Sequence, residues 1–108
     1  ISKHLKSLLD SWWLNAIQQP DVNLVEAIFT NYWNNRELCL RLYEQGLSYL
    51  NLQSIKEACG PKPEYENFAA YTTAYFSYGL FGWFEEWFHR GMQETPKEMA
   101  ALWEKHNR

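Results

Sequence analysis

The chain has 108 residues and a net charge of −3. That length holds one domain of ordinary size, and the acidic balance gives no general attraction to phosphate, so this portion alone is not expected to bind DNA. Aromatic residues make up 18% of it. At roughly 150–250 Å² per ring they can build a large core and still leave some for a pocket or an interface.

Residues Ser2 to Gln19 read as an amphipathic helix, with Leu5, Leu8, Leu9, Trp12, Ala16 and Ile17 at helical spacing. Pro20 ends it, because the residue before a proline is pushed out of helical geometry. Asn23 with Glu26 fits a capping box that opens a second helix, whose apolar face is Val25, Ile28, Phe29, Tyr32 and Trp33. Asn34 with Glu37 repeats the cap signature for a third helix. Leu38, Cys39, Leu42 and Tyr43 face inward there, while Arg36, Arg41 and Glu44 face water. Gly46 stops it.

Leu47 to Cys59 predicts a shorter helix capped by Ser48 and ended by Gly60-Pro61-Lys62-Pro63. A long helix then runs from about Glu64 or Tyr65 to about Arg90. It carries three apolar stripes rather than the usual one. The first is Ala69, Phe76, Leu80, Trp83 and Trp87; the second is Ala70, Ala74, Phe81, Phe84 and Phe88; the third is Phe68, Tyr71, Tyr75, Tyr78 and Gly82. A helix apolar on three sides must be covered on three sides, by its own domain and by something else. Gly79 and Gly82 in its middle predict close approach of another helix, because a mid-helix glycine costs about 1 kcal/mol against alanine. Gly91 stops the helix. Thr95-Pro96-Lys97-Glu98 opens the last one with a capping box and a first-turn proline. Met99, Leu102 and Trp103 are its apolar residues. No strand-like alternation interrupts this pattern, and the fold class is all-α.

No signal peptide is visible, and no apolar run reaches the roughly 18 residues of a membrane span. Cys39 and Cys59 lack metal spacing and read as buried free thiols of a reducing, cytoplasmic compartment. Nothing predicts an enzyme: there is no phosphate loop, HExxH, GxSxG or Cys/His cluster. Glu86-x-x-His89 has the spacing used in di-metal bundles, but it occurs once rather than twice. We therefore expect no metal and no cofactor. Tyr71, Tyr75 and Tyr78 share one side of the long helix. Apolar bodies with polar tips suit the edge of a core, where the hydroxyls reach solvent, or a pocket for a mostly apolar ligand.

Tyr78-Gly79-Leu80-Phe81-Gly82, Trp87, Arg90-Gly91-Met92 and Thr95 to Ala100, with Tyr32-Trp33-Asn34-Asn35-Arg36 and Leu42 to Leu47 upstream, resemble the C-terminal domain of TetR-family transcriptional regulators, in a branch common in Firmicutes. The resemblance covers essentially the whole chain and is sharpest in the tail. It implies a ligand-sensing and dimerisation domain over residues 1–108, a helical bundle of about five to six helices. Two copies would join their last two helices into a four-helix bundle. Phe76, Leu80, Trp83 and Trp87, with Leu102 and Trp103, would lie at the dimer contact. Phe29, Trp33, Tyr71, Tyr75 and Tyr78 would line a pocket for a small apolar or aromatic effector. The chain begins inside a helical pattern, so a helix-turn-helix domain is expected before Ile1 and would carry the only DNA contact of what reads as a repressor. The rival reading is a dimeric helical interaction module with no effector. Its support is the number of Trp and Phe residues, which can fill the interior completely.

Overall fold

Six α-helices and no strand form among the residues described by the structure, a computed structural model covering residues 2–19, 21 and 23–108. They are α1 (Ser2–Ile17), α2 (Leu24–Trp33), α3 (Arg36–Glu44), α4 (Leu50–Cys59), α5 (Asn67–His89) and α6 (Pro96–His106). The break expected at Pro20 falls outside the described residues.

Local chemistry sets most of the boundaries. The Asn23 side chain accepts from the Val25 and Glu26 amides at 2.9 and 3.2 Å and opens α2. Thr95 and Glu98 complete a reciprocal capping box: the Glu98 amide donates to the Thr95 hydroxyl at 3.2 Å and the Thr95 amide to the Glu98 carboxylate at 2.9 Å. That backbone hydrogen bond from Thr95 holds the Glu98 carboxyl below its ordinary value. Two helices end in Schellman turns around glycines in the left-handed region, Gly46 at φ 74° and Gly91 at φ 81°. In the first, the Leu47 amide reaches the Leu42 carbonyl at 2.8 Å; in the second, the Met92 amide reaches Trp87 at 2.8 Å.

α1 ends at Ile17 rather than Gln19, and three helix starts differ from the sequence reading. The third helix is preceded by Asn35, not Asn34, and without a side-chain cap, because the Asn35 amide group donates back to the Asn31 carbonyl at 2.8 Å. The fourth begins at Leu50 rather than Leu47. Ser48 does not cap it; its hydroxyl crosses to the Glu85 carboxylate on α5 at 2.7 and 3.0 Å. The long helix starts at Asn67, later than expected, because the Glu66 carboxylate caps the Ala69 amide at 3.2 Å.

The core lies where α1, α2, α4 and the second half of α5 meet. Phe29, Tyr32, Phe84, Trp87 and Phe88 are almost wholly buried. The Tyr32 and Phe84 rings stack at 4.3 Å between centroids, and Phe29 meets Phe84 at 4.8 Å and Trp87 at 5.2 Å. A polar thread crosses this apolar centre: Trp13 Nε1 donates to the Tyr32 hydroxyl at 3.2 Å, which donates to Asn51 Oδ1 at 3.0 Å. Burial holds the Tyr32 phenol well above its ordinary pKa, so its proton stays available to Asn51. α6 runs back along α2, and its Trp103 ring bridges to Phe76 and Trp83 of α5 at 5.6 and 5.1 Å.

Arg36 does not simply face water. Its Nε donates to the Met92 carbonyl at 3.1 Å and its Nη2 to the Gly91 carbonyl at 2.6 Å, while the guanidinium lies 5.7 Å from the Trp33 ring centroid. It ties the start of α3 to the turn between α5 and α6, where Met92 sits buried at φ 51°. Charged hydrogen bonds of this kind contribute about 1.5–3 kcal/mol. Arg36→Met keeps the apolar stem and removes the donors, and urea unfolding should report a loss in that range. An unchanged midpoint would show that the clamp contributes nothing.

Candidate functional site

Two surface features stand outside the core. The first is the outer side of α5. Phe68, Tyr71, Tyr75 and Tyr78 are 76%, 75%, 79% and 54% exposed. Gly79 and Gly82 lie on the same side, and a Cβ added to either would meet no atom within 4 Å. The predicted close helix approach is therefore not made among the described residues. The third stripe of the sequence is thus the uncovered one. Phe76, 37% exposed, lies at its edge against Trp103 of α6, and the 45% exposed Leu102 lies near Trp83.

The residues expected at a dimer contact divide. Phe76, Trp83, Leu102 and Trp103 stay together at the α5–α6 edge, with Trp103 in edge contact with both Phe76 and Trp83. Leu80 and Trp87 do not belong with them: they are 3% and 2% exposed and form part of this chain's own core. The reason is geometric. At 3.6 residues per turn the stripe is a nearly straight row: Leu80 and Trp87 lie on its edge toward the buried Phe84, and Phe76 and Trp83 on the edge away from it. The Trp87 indole also donates to the Glu94 carbonyl at 3.1 Å, which fixes it inward.

The residues expected to line a pocket are not brought together. Phe29 is fully buried, Trp33 stacks on Trp87 at 6.2 Å, and Tyr71, Tyr75 and Tyr78 point away from the bundle. The interior they were expected to line is filled by rings.

The second feature is a groove elsewhere, between α1 and α4, enclosing about 630 Å³. Tyr49, Leu50 and Leu52 form its apolar part, and the side chains of Lys3, Lys6 and Lys56 also line it. Lys6 is ion-paired with Asp10 at 2.8 Å and with Glu57, which fastens α1 to α4. The hydrogen bond to Asp10, then that to Glu57, raises the Lys6 pKa, so the ammonium stays charged. Lys56 Nζ stands 5.6 Å from the Tyr78 ring centroid, a cation–π contact that joins the groove to the outer side of α5. Sequence periodicity did not point here, because the groove depends on two helices more than thirty residues apart packing side by side. The only local trace was Lys3 and Lys6 on one side of the first helix.

No group of three or more metal-ligating side chains gathers among the described residues. Glu86 is paired with Arg90 at 2.7 Å, and His89 Nδ1 lies 3.0 Å from the Tyr43 hydroxyl of α3. Burial pushes the Cys39 thiol up to about 12 and the Cys59 thiol up to about 11, which leaves both as weak nucleophiles at neutral pH. No helix among the described residues is long and apolar enough to cross a membrane.

The described residues thus form an all-helical bundle with an uncovered aromatic face on its long helix and an open groove between α1 and α4. Residues 34–106 match the family described as transcriptional regulator C-terminal region, of the TetR type. With two thirds of its length matched, the chain belongs to that family and is a transcriptional regulator domain. No curated protein and no solved structure gives a significant match.

Proposed function

We propose that this domain dimerises through the outer side of α5 and the adjoining edge of α6, and senses a small molecule. In this reading it is the regulatory part of a repressor whose helix-turn-helix is encoded before Ile1. Ligand binding shifts the spacing of the two DNA-binding heads by favouring one of two domain arrangements. The observation that carries the reading is the exposed row Phe68, Tyr71, Tyr75 and Tyr78 beside two glycines with open space over them. An exposed aromatic patch of this extent marks an interaction surface. The glycines let a second helix approach closely, and two-fold symmetry would place the same face of each copy against the other. The Phe76, Trp83, Leu102 and Trp103 edge continues that surface. The groove supports sensing, since about 300–1,000 Å³ is the usual size of a small-molecule site.

Sedimentation of the chain over a range of concentrations is the test. A dimer in the micromolar range is expected, and a monomer throughout would overturn the assembly half of the reading. A Lys/Arg-rich helix-turn-helix encoded upstream is the expected finding for the regulator half. The ring-filled interior favours a second reading, a dimeric interaction module without effector. In that case no small molecule would alter the dimer.

A further inference from the structure

We propose that the groove between α1 and α4 binds an amphiphilic anion, a molecule with an extended apolar body and one carboxylate, held by Lys3 and Lys56. The inference rests on the sensing reading above and adds the chemical class of the ligand.

Three observations converge on it. The apolar part of the groove is formed by Leu50 and Leu52 with the ring of Tyr49, which is 59% exposed among the described residues. A body of alkyl or aromatic carbons would remove that surface from water. The charged residues that line it are all basic: Lys3, Lys6 and Lys56 line the groove and no acidic residue does, the Asp10 and Glu57 partners of Lys6 lying outside the lining. The chain as a whole carries −3, so a local cluster of ammonium groups runs against its overall balance. The lysines are not equivalent. Lys6 is already neutralised by Asp10 and Glu57, whereas Lys3 and Lys56 have no carboxylate partner among the described residues. Lys3 and Lys56 are therefore the groups that a bound anion would satisfy.

Lys56 gives the site a consequence beyond binding. Its ammonium lies over the Tyr78 ring, and Tyr78 flanks the outer side of α5. An anion in the groove competes with the ring for the same cation. Occupancy of the groove and the arrangement of the α5 surface are then linked, and by reciprocity a dimer formed through that surface would alter affinity for the anion.

Calorimetric titration of the chain with decanoate, decanol and decyltrimethylammonium separates the contributions, because the three share an apolar body and differ in charge. Decanoate is expected to bind at least several-fold tighter than decanol, and decyltrimethylammonium weakest. The paired substitution Lys3→Gln with Lys56→Gln should weaken decanoate by roughly five- to tenfold, the scale of two partly exposed charge pairs, and leave decanol unchanged. Circular dichroism on the same samples establishes that the variant is folded; should it not be, Lys3→Gln alone, on an exposed position, carries the comparison. Raising the salt concentration should weaken decanoate only. Equal binding of all three probes would overturn the proposal and make the groove a plain apolar docking surface. No binding of any probe would also overturn it and leave the groove to a protein segment. Sensing as such fails differently: decanoate binds, but the monomer–dimer equilibrium does not respond.

Discussion

Replacing Tyr75 with glutamate is expected to convert dimers of this chain into monomers while changing the stability of the single chain by no more than about 0.5 kcal/mol, the usual effect of a surface substitution. Tyr75 is 79% exposed, the highest value among the large hydrophobic side chains of α5. In an isolated chain a carboxylate there stays hydrated and breaks no packing. In a dimer formed through this surface the same carboxylate is moved out of water beside a second copy of itself. An uncompensated buried charge costs several kcal/mol, which lowers the association constant by more than about a hundredfold. Sedimentation velocity reads the mass and a thermal melt reads the fold. An intact dimer would show that subunits meet elsewhere.

The choice of residue matters. Trp83→Glu looks equivalent from the sequence, since Trp83 also belongs to a surface stripe. In the structure its ring packs on Trp103 at 5.1 Å and lies 5.6 Å from His106. Substituting it would loosen α6 and change the fold and the assembly together. Tyr75 separates the two.

Phe84→Ala should have the largest effect on stability, a loss of about 3–5 kcal/mol. A domain of this size has roughly 5–15 kcal/mol in total, so the variant should be poorly folded at 37 °C and unfold at a much lower urea concentration. Phe84 is fully buried and touches four rings, with centroid distances of 4.8 Å to Phe29, 4.3 Å to Tyr32, 6.3 Å to Trp87 and 6.2 Å to Phe88. Rings held on several sides cannot collapse into the space that truncation leaves, and the lost contacts are not recovered. A loss below about 1 kcal/mol would mean that the surrounding rings repack easily.

Much of the architecture was legible because it is local. A helix end is decided by a handful of neighbouring residues, and Asn23, Gly46, Gly91 and the Thr95-Pro96 start act where the sequence places them. The boundaries that shifted did so through side chains with a nearer or better partner. Asn35 bonds back to Asn31, Ser48 is drawn to Glu85, and Glu66 caps the long helix in place of an earlier start. Arg36 was read as wet because its two carbonyl acceptors lie about fifty-five positions away.

What the sequence determined by itself is therefore the set of helices, their order, and the surplus of apolar surface on the long one. Periodicity counts stripes; it does not say which stripe meets which neighbour. Only the packing of α2, α3 and α4 decided that Leu80, Phe84, Trp87 and Phe88 turn inward, while Phe68, Tyr71, Tyr75 and Tyr78 remain uncovered. The α1–α4 groove belongs to the same class. Its lysines and leucines are unremarkable within their own helices, and they become a site only where two distant segments lie side by side. Burial depends on which surfaces meet in space, and a pattern that repeats every few residues along the chain carries no record of that meeting.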